Sequence, residues 1–358
     1  MSARRSSWGS VVLAGVWAMT LACSGGGSDN KAAAPADSAG KTAAKGGKAI
    51  TIAMIAKESA NPVFLAARTG AEAAAKELSA KWGTDVKVEW LTPPQQDGEV
   101  QAQRVRQALN EGVDGILISC SDAGKVTGAI NDAVDRGIPV MTFDSDAPQS
   151  KRFAFYGVDD EKTGQQTMAE LAKVLNGKGN VAILAGNQNA PNLQRRVQGV
   201  KTEAAKYPGI KIVGVFNHIE TPQDATAEVI RVNNAYPEIT GWAFIGGWPL
   251  FATSLMTELD PSKQKVVSVD AIPVELPYVD KGVVPVLLAQ SVYLWGHVGV
   301  NTLFDKVHDN KTPPNPVMPM ALVRVSKDNL GDWARQLKDW GFTDVAPEYL
   351  KLPAATKQ

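Results

Sequence analysis

From residue 49 onward, short and nearly continuous apolar runs alternate with longer stretches of helical periodicity. Apolar runs separated by helices are typical of parallel strands that are covered on both faces. The runs form two series of five, at 50–56, 86–91, 115–119, 139–144 and 153–158, then at 180–185, 211–216, 241–245, 266–270 and 284–289. The pattern predicts an α/β fold of two doubly wound parallel-sheet lobes.

The stretches between these runs carry helix signals. Residues 123–137 and 159–177 repeat apolar residues at helical spacing, so each predicts a helix with one face on a sheet. The same spacing recurs in the tail, at Leu330, Trp333, Leu337 and Trp340. We therefore expect a helix in the tail that docks on a lobe.

The first 23 residues have the pattern of a secretory signal. Arg4 and Arg5 give a basic start, and residues 8–21 are almost wholly apolar but too short to span a bilayer. The signal ends in Thr20-Leu21-Ala22-Cys23, which resembles the bacterial lipoprotein cleavage box, with Thr20 in place of the usual aliphatic residue. This resemblance predicts a signal peptide over 1–22 and lipidation of Cys23. The alternative is an ordinary signal that ends at Ala22, with the protein freely secreted.

Residues 23–47 are rich in glycine, serine and alanine and hold no apolar residue larger than alanine after Cys23. Such a segment cannot bury enough surface to offset its ordering entropy, so it predicts a flexible linker. We expect an exported protein, in the periplasm or at the cell surface, that is anchored to a membrane through Cys23.

Composition excludes several function classes. The 37 basic and 37 acidic residues cancel without long runs, which disfavours a nucleic-acid partner. Cys23 and Cys120 are the two cysteines, so a lipidated Cys23 leaves no disulfide. No metal-ligand spacing or phosphate-binding glycine pattern occurs, and Cys120 has the setting of a packing residue rather than a nucleophile. No metal, no cofactor and no enzymatic activity are predicted.

Ligands of open α/β sheets bind beyond the carboxyl ends of the strands, and here those ends concentrate carboxylates, amides and aromatics. The series Asn61-Pro62-Val63-Phe64, Asp144 ending its strand, Arg196, strand 266–270 and Ala289-Gln290 resembles the ribose-binding type of periplasmic sugar-binding protein. The resemblance covers about residues 50–325. It implies the type I periplasmic binding protein fold, with two lobes joined by a three-stranded hinge, and a role in supplying an ABC importer.

Position by position, the resemblance implies ligand contacts from both lobes, at Asn61, Phe64, Ser119, Asp144, Arg196, Asp270 and Gln290. The chain departs from the family pattern at Gly247-Trp248, where the family commonly has Asn-Asp, and at Ser145, where an arginine is common. The pocket therefore loses polar contacts and gains an indole. We expect Trp248 to form one aromatic face of the site and Phe64 the other.

These residue types suit a sugar, since carboxylates accept from hydroxyls, arginine donates, amides do both, and aromatic rings cover the C–H faces. Each has a structural alternative. A strand-end aspartate is often a helix N-cap, Asn61 suits a turn or cap, and Arg196 otherwise lies on a solvated helix face. Phe64 and Trp248 otherwise belong to the core. For Trp295 we favour hinge packing over a place in the pocket wall.

The predicted domains are 48–157 plus 291–320 for the N-terminal lobe and 158–290 plus 321–345 for the C-terminal lobe. The predicted function is that of a monomeric, lipid-anchored sugar-binding protein that delivers a monosaccharide to an ABC permease. The alternative is a receptor subunit that reports a sugar or furanose signal to a chemoreceptor or sensor kinase. A third class, an enzyme on the same scaffold, would need a nucleophile and base or a cofactor motif.

Overall fold

The computed structural model describes residues 48–355. The predicted signal peptide, Cys23 and the linker at 23–47 lie outside the described residues. Within the described part of the chain, no helix is both long enough and apolar enough to span a bilayer.

The strands divide into two sheets. Their bounds are β1 Ile50–Ile55, β2 Val86–Trp90, β3 Gly115–Ile118, β4 Val140–Phe143, β5 Ala154–Gly157, β6 Lys178–Gly186, β7 Gly209–Asn217, β8 Gly241–Phe244, β9 Lys265–Val269, β10 Val286–Ala289, β11 Val317–Pro319 and β12 Val323–Val325. The first sheet has the order β11-β5-β4-β3-β1-β2 and the second β12-β10-β9-β8-β6-β7. The predicted two-lobed α/β fold with parallel sheets is confirmed.

Most of the helices lie between strands, and the last two follow the final strand. Their bounds are α1 Pro62–Trp82, α2 Gly98–Glu111, α3 Ala123–Asp135, α4 Asp160–Val174, α5 Pro191–Ala204, α6 Pro222–Ala235, α7 Leu276–Asp280, α8 Val292–Asp309, α9 Leu330–Asp339 and α10 Pro347–Leu350. In the first lobe, Ile52 and Met54 face the core with α1 and α8, whereas Ala53 and Ile55 face α2 and α3. Both sheet faces are therefore covered, which explains the continuous apolar runs.

Each sheet has one strand more than the five that the apolar runs predict. β11 pairs parallel with β5, with Val317 opposite Phe155, and β12 pairs antiparallel with β10, with Leu287 opposite Val325. β12 lies within 321–345, which the sequence assigns to the C-terminal lobe, but the sequence does not indicate β11, because that strand is short, largely exposed and ends in proline. Between these two edge strands the chain passes from the first sheet to the second, as it also does after β5 and, in return, after β10.

The tail forms α9, and it docks as its spacing predicts. Leu330, Trp333 and Leu337 are buried, and the Trp333 indole nitrogen donates to the Ala271 carbonyl in the second lobe at 2.7 Å. Trp340, at the end of α9, stacks on Tyr293 of α8 with ring centroids 5.8 Å apart and an interplanar angle of 6°. Because α8 packs against α1 of the first lobe, the tail contacts both lobes.

Candidate functional site

Two aspartates occupy equivalent places in the two lobes. Asp144 directly follows β4 and Asp270 directly follows β9, and both have left-handed backbone conformations, with φ of 56° and 76°. Such a conformation costs a non-glycine residue about 1–2 kcal/mol. Strain of this kind persists where surrounding contacts fix it, and it is concentrated at functional sites. Both side chains are buried, which fits a site between the lobes.

Asp144 receives hydrogen bonds from both lobes. Its Oδ2 accepts from the Ser119 hydroxyl at 2.7 Å and lies 3.3 Å from the Lys57 ammonium, both in the first lobe. Its Oδ1 accepts from the Asn192 amide at 3.1 Å and lies 4.0 Å from an Arg196 nitrogen, both in the second lobe. The Asp144 carboxylate therefore contacts side chains of both lobes.

Each of the three side-chain nitrogens of Arg196 donates to a buried acceptor. Its Nε donates to Asp160 Oδ1 at 2.9 Å, and its two terminal nitrogens donate to the Ile245 carbonyl at 3.0 Å and to Gln290 Oε1 at 2.9 Å. The predicted solvated alternative for Arg196 is wrong, since its side chain is only 3% exposed. Burial acts to lower the guanidinium pKa, but the carboxylates of Asp160 and Asp144 outweigh it and raise that pKa. Arg196 is therefore a fixed cation.

Close helix packing brings Arg196 to Asp160. A side chain at Gly164 of α4 would collide with the Arg196 carbonyl, and one at Gly199 of α5 would collide with the Glu161 carbonyl. The two glycines let the helix backbones approach until the arginine meets the first turn of α4. Burial raises the Asp160 pKa to about 6, against the opposing effect of Arg196.

Asp270 and Gln290 form the other half of the second-lobe network. Asp270 Oδ2 accepts from the Gly247 amide at 3.1 Å, and its Oδ1 accepts from the Gln290 side chain at 2.8 Å. Gln290 therefore bridges Asp270 and Arg196. Burial raises the pKa of Asp270, with Arg196 and these hydrogen bonds acting in the opposite direction.

Three members of this network were not predicted from the sequence. They are Lys57, Asn192 and Asp160, each nearly inaccessible to solvent. Lys57 donates to Asn192 across the cleft at 3.1 Å. Lys57 follows a strand and Asp160 lies in an acidic first turn, and both patterns are typical of solvated residues. Only Asn192 could have been predicted as a site residue, because it lies one helical turn before Arg196 on the same face of the helix.

The predicted aromatic faces lie close to this network but are themselves packed. Phe64 is 3% exposed and its ring lies 6.4 Å from that of Phe143. Trp248 is 5% exposed, and its ring covers Gly186 and Gly246 and meets the His218 ring edge-on at 5.0 Å. A ligand-stacking role for Phe64 and Trp248 stays a prediction.

Asn61 and Ser119 have structural roles in addition to the predicted ones. Asn61 caps α1, its side chain accepting from the Val63 amide at 3.2 Å, which is the predicted alternative role. Ser119 holds Asp144 as described. Ligand contact by either residue stays a prediction.

A cavity of about 920 Å³, lined largely by residues with polar side chains, opens between loops of the two lobes. At its wall, Gln96 of the first lobe donates to Glu220 of the second at 2.6 Å and accepts from Asn187 at 3.1 Å. Burial and the charge of Glu220 raise the pKa of Glu58. Residues of the two lobes therefore bond directly to each other at the wall of this cavity.

Cys120 is fully buried, and burial raises the pKa of its thiol, which opposes thiolate chemistry. Among the described residues, no cluster of three or more histidine, cysteine, aspartate or glutamate side chains has the arrangement of a metal site.

Comparisons with known proteins agree with this architecture. The family model for the periplasmic binding protein domain matches residues 52–311. A xylitol-binding protein of Mycolicibacterium smegmatis is 27% identical over 238 residues, which cover 65% of this chain and 67% of that protein. A D-ribose/D-allose-binding protein of Pseudomonas aeruginosa is 28% identical over 197 residues, 52% of this chain and 60% of its own length.

Among solved structures, an ABC transporter solute-binding protein from Burkholderia graminis in complex with D-arabinose has a TM-score of 0.72 and 29% identity. The superposition covers 79% of this chain and 96% of that one. The resemblance drawn from the strand-end residues is confirmed, and the chain belongs to the periplasmic binding protein domain family.

Proposed function

We propose that this protein captures a monosaccharide or its polyol between the two lobes and delivers it to an ABC permease. The observation that carries the proposal is the buried network in which Asp144 of the first lobe meets Asn192 and Arg196 of the second. A ligand that bonds groups on both lobes has differential affinity for the closed form and shifts the population towards it.

The charges of the network favour a neutral, hydroxyl-rich ligand. Lys57 and Arg196 are outnumbered by the carboxyl groups of Asp144, Asp160 and Asp270, so an anionic ligand such as a sugar phosphate would meet net repulsion. Hydroxyl groups can donate to carboxylates and accept from the lysine, arginine and amides at once. We propose Asn61, Phe64, Ser119, Asp144, Arg196, Trp248, Asp270 and Gln290 as ligand contacts, and we add Lys57 and Asn192.

The names of the relatives support the ligand class. One relative is a xylitol-binding protein, one a D-ribose/D-allose-binding protein, and a solved neighbour holds D-arabinose. These ligands share five or six carbons and a hydroxyl on nearly every one. We propose the same class here, with the two predicted domains closing as rigid bodies.

A thermal-shift screen of the full-length protein with D-ribose, D-allose, D-arabinose and xylitol tests the proposal. A ligand at about a hundred times its dissociation constant stabilises the folded state by about 2.7 kcal/mol. Calorimetry on the ligand that gives a shift then measures affinity, with D-ribose 5-phosphate as the anionic control. A protein that none of the four stabilises, or that prefers the phosphate, would contradict the proposal.

We also propose export and anchoring through Cys23, with the binding domain acting as a monomer. Intact mass spectrometry of the membrane fraction should detect an acylated chain that begins at Cys23, and Cys23→Ser should abolish the acylation. An unacylated mature chain beginning at residue 23 would end the anchoring proposal and leave the ligand proposal intact.

A further inference from the structure

Trp295 carries a buried polar atom that no described residue satisfies. The residue is 1% exposed, and its indole Nε1 is inaccessible and without a hydrogen-bond partner. Two other buried indoles differ, because Trp242 donates to Asn233 at 3.0 Å and Trp333 donates to the Ala271 carbonyl at 2.7 Å. An unsatisfied buried N–H is costly and calls for an explanation.

The place of Trp295 is close to the proposed ligand contacts. It lies in the first turn and a half of α8, five positions after Gln290. Its ring centroid is 6.1 Å from that of Phe64, a proposed ligand face, and 6.0 Å from that of Phe143, which directly precedes Asp144. Trp295 therefore lies at the end of the first lobe that faces the cleft.

Core packing accounts for the ring but not for the N–H. A phenylalanine here would continue the aromatic cluster without burying an unpaired donor.

We propose that the Trp295 indole N–H donates a hydrogen bond to a hydroxyl of the bound sugar or polyol and so helps to set specificity. This inference rests on the proposed function. The sequence favours hinge packing for Trp295, and in this assignment the ring packs while the N–H binds the ligand.

Trp295→Phe tests the assignment, because it keeps an aromatic ring and removes the donor. The probe is whichever of D-ribose, D-allose, D-arabinose and xylitol binds the unmutated protein most tightly. We expect affinity by calorimetry to fall about threefold to tenfold, the effect of one hydrogen bond. The ligand-free melting temperature should fall less than in Trp242→Phe, because the smaller ring leaves a cavity in both variants but only Trp242 also loses a satisfied hydrogen bond. A purely structural tryptophan would leave affinity unchanged.

Trp242→Phe is the matched control, because its indole N–H bonds within the second lobe. It should lower the melting temperature without changing affinity. In a complementary measurement, the Trp295 indole proton resonance should move downfield when the probe saturates the protein, whereas the Trp242 resonance should not. Unchanged affinity in Trp295→Phe together with an unmoved Trp295 indole resonance would overturn the Trp295 assignment alone. If no probe bound the unmutated protein, the proposed function would be overturned as well.

Discussion

The two lobes present their polar groups to the cleft in different ways. In the second lobe, Arg196 donates to Asp160, to the Ile245 carbonyl and to Gln290. All three belong to the second lobe, with Gln290 directly after its strand β10. In the first lobe, one oxygen of Asp144 is held locally by Ser119, whereas the other contacts only side chains of the opposite lobe. The Arg196 network is thus complete within the second lobe, whereas Asp144 of the first lobe depends on the second lobe for the partners of one carboxylate oxygen.

This difference suggests an order of events. A ligand first meets a fixed set of donors and acceptors on the second lobe, where little entropy remains to be lost. The first lobe then closes, and Asp144 and Lys57 add bonds that exist only in the closed form. Affinity for the ligand should depend on the polar groups of both lobes. The stability of the unliganded protein should depend mainly on the polar network of the second lobe.

The largest effect is expected from breaking the second-lobe network at Arg196. Arg196→Met leaves the carboxylates of Asp160 and Asp270 buried without their cation, which should lower the free energy of unfolding by about 3–5 kcal/mol near pH 7.5. Urea denaturation measures this. Arg195→Met, on the same helix with a 61% exposed side chain, is the control and should cost less than about 0.5 kcal/mol. Equal and small decreases in the free energy of unfolding for both variants would contradict a preorganised network in the second lobe.

Next in size is the loss of affinity when either strand-end aspartate is removed. Asp270→Ala should weaken sugar binding at least tenfold, since a charge-assisted hydrogen bond contributes about 1.5–3 kcal/mol. Asp144→Ala should weaken it by a similar factor and should also reduce the compaction that small-angle scattering detects at a fixed saturating sugar concentration. If the unmutated protein does not compact with sugar, or if Asp144→Ala compacts fully, closure does not depend on the first-lobe carboxylate.

The sequence predicted the strand ends better than their partners. Asp144 and Asp270 follow apolar runs, so their places at the carboxyl edges could be derived from the pattern alone. Asp160 could not, because it lies in an acidic first turn and becomes a buried partner only through the glycine-mediated approach of α4 and α5. The left-handed conformations of the two aspartates and the bridging role of Gln290 likewise arise from tertiary contacts.

A smaller effect is a pH dependence that originates in the second lobe. Burial raises the pKa of Asp160 to about 6 from its usual 3.8, so between these values the folded protein holds a proton that the unfolded chain has released. The free energy of unfolding should therefore fall as pH rises through this window, by at most about 1.4 kcal/mol per pH unit from this group.

Asp160→Asn, which keeps an acceptor for Arg196, should remove the Asp160 contribution to that slope. Part of the slope should remain, because burial also raises the pKa of Asp270 and of Glu275. Chemical denaturation at intervals between pH 4 and pH 7 compares the two proteins. Identical slopes would show that the Asp160 carboxyl titrates normally in the fold.

The smallest effect concerns the tail, which contacts both lobes. Trp340 of α9 stacks on Tyr293 of α8, and an aromatic pair contributes about 0.5–1.5 kcal/mol beyond its buried area. If this stack forms fully only when the lobes close, Trp340→Ala should weaken sugar binding about twofold to tenfold. Trp82→Ala is the control, because Trp82 is 42% exposed and packs on Phe304 within the first lobe; calorimetry should find its affinity unchanged. Unchanged affinity in Trp340→Ala would show that the stack forms equally in the open and the closed protein. The difference between the two lobes would then concern only the residues of the cleft.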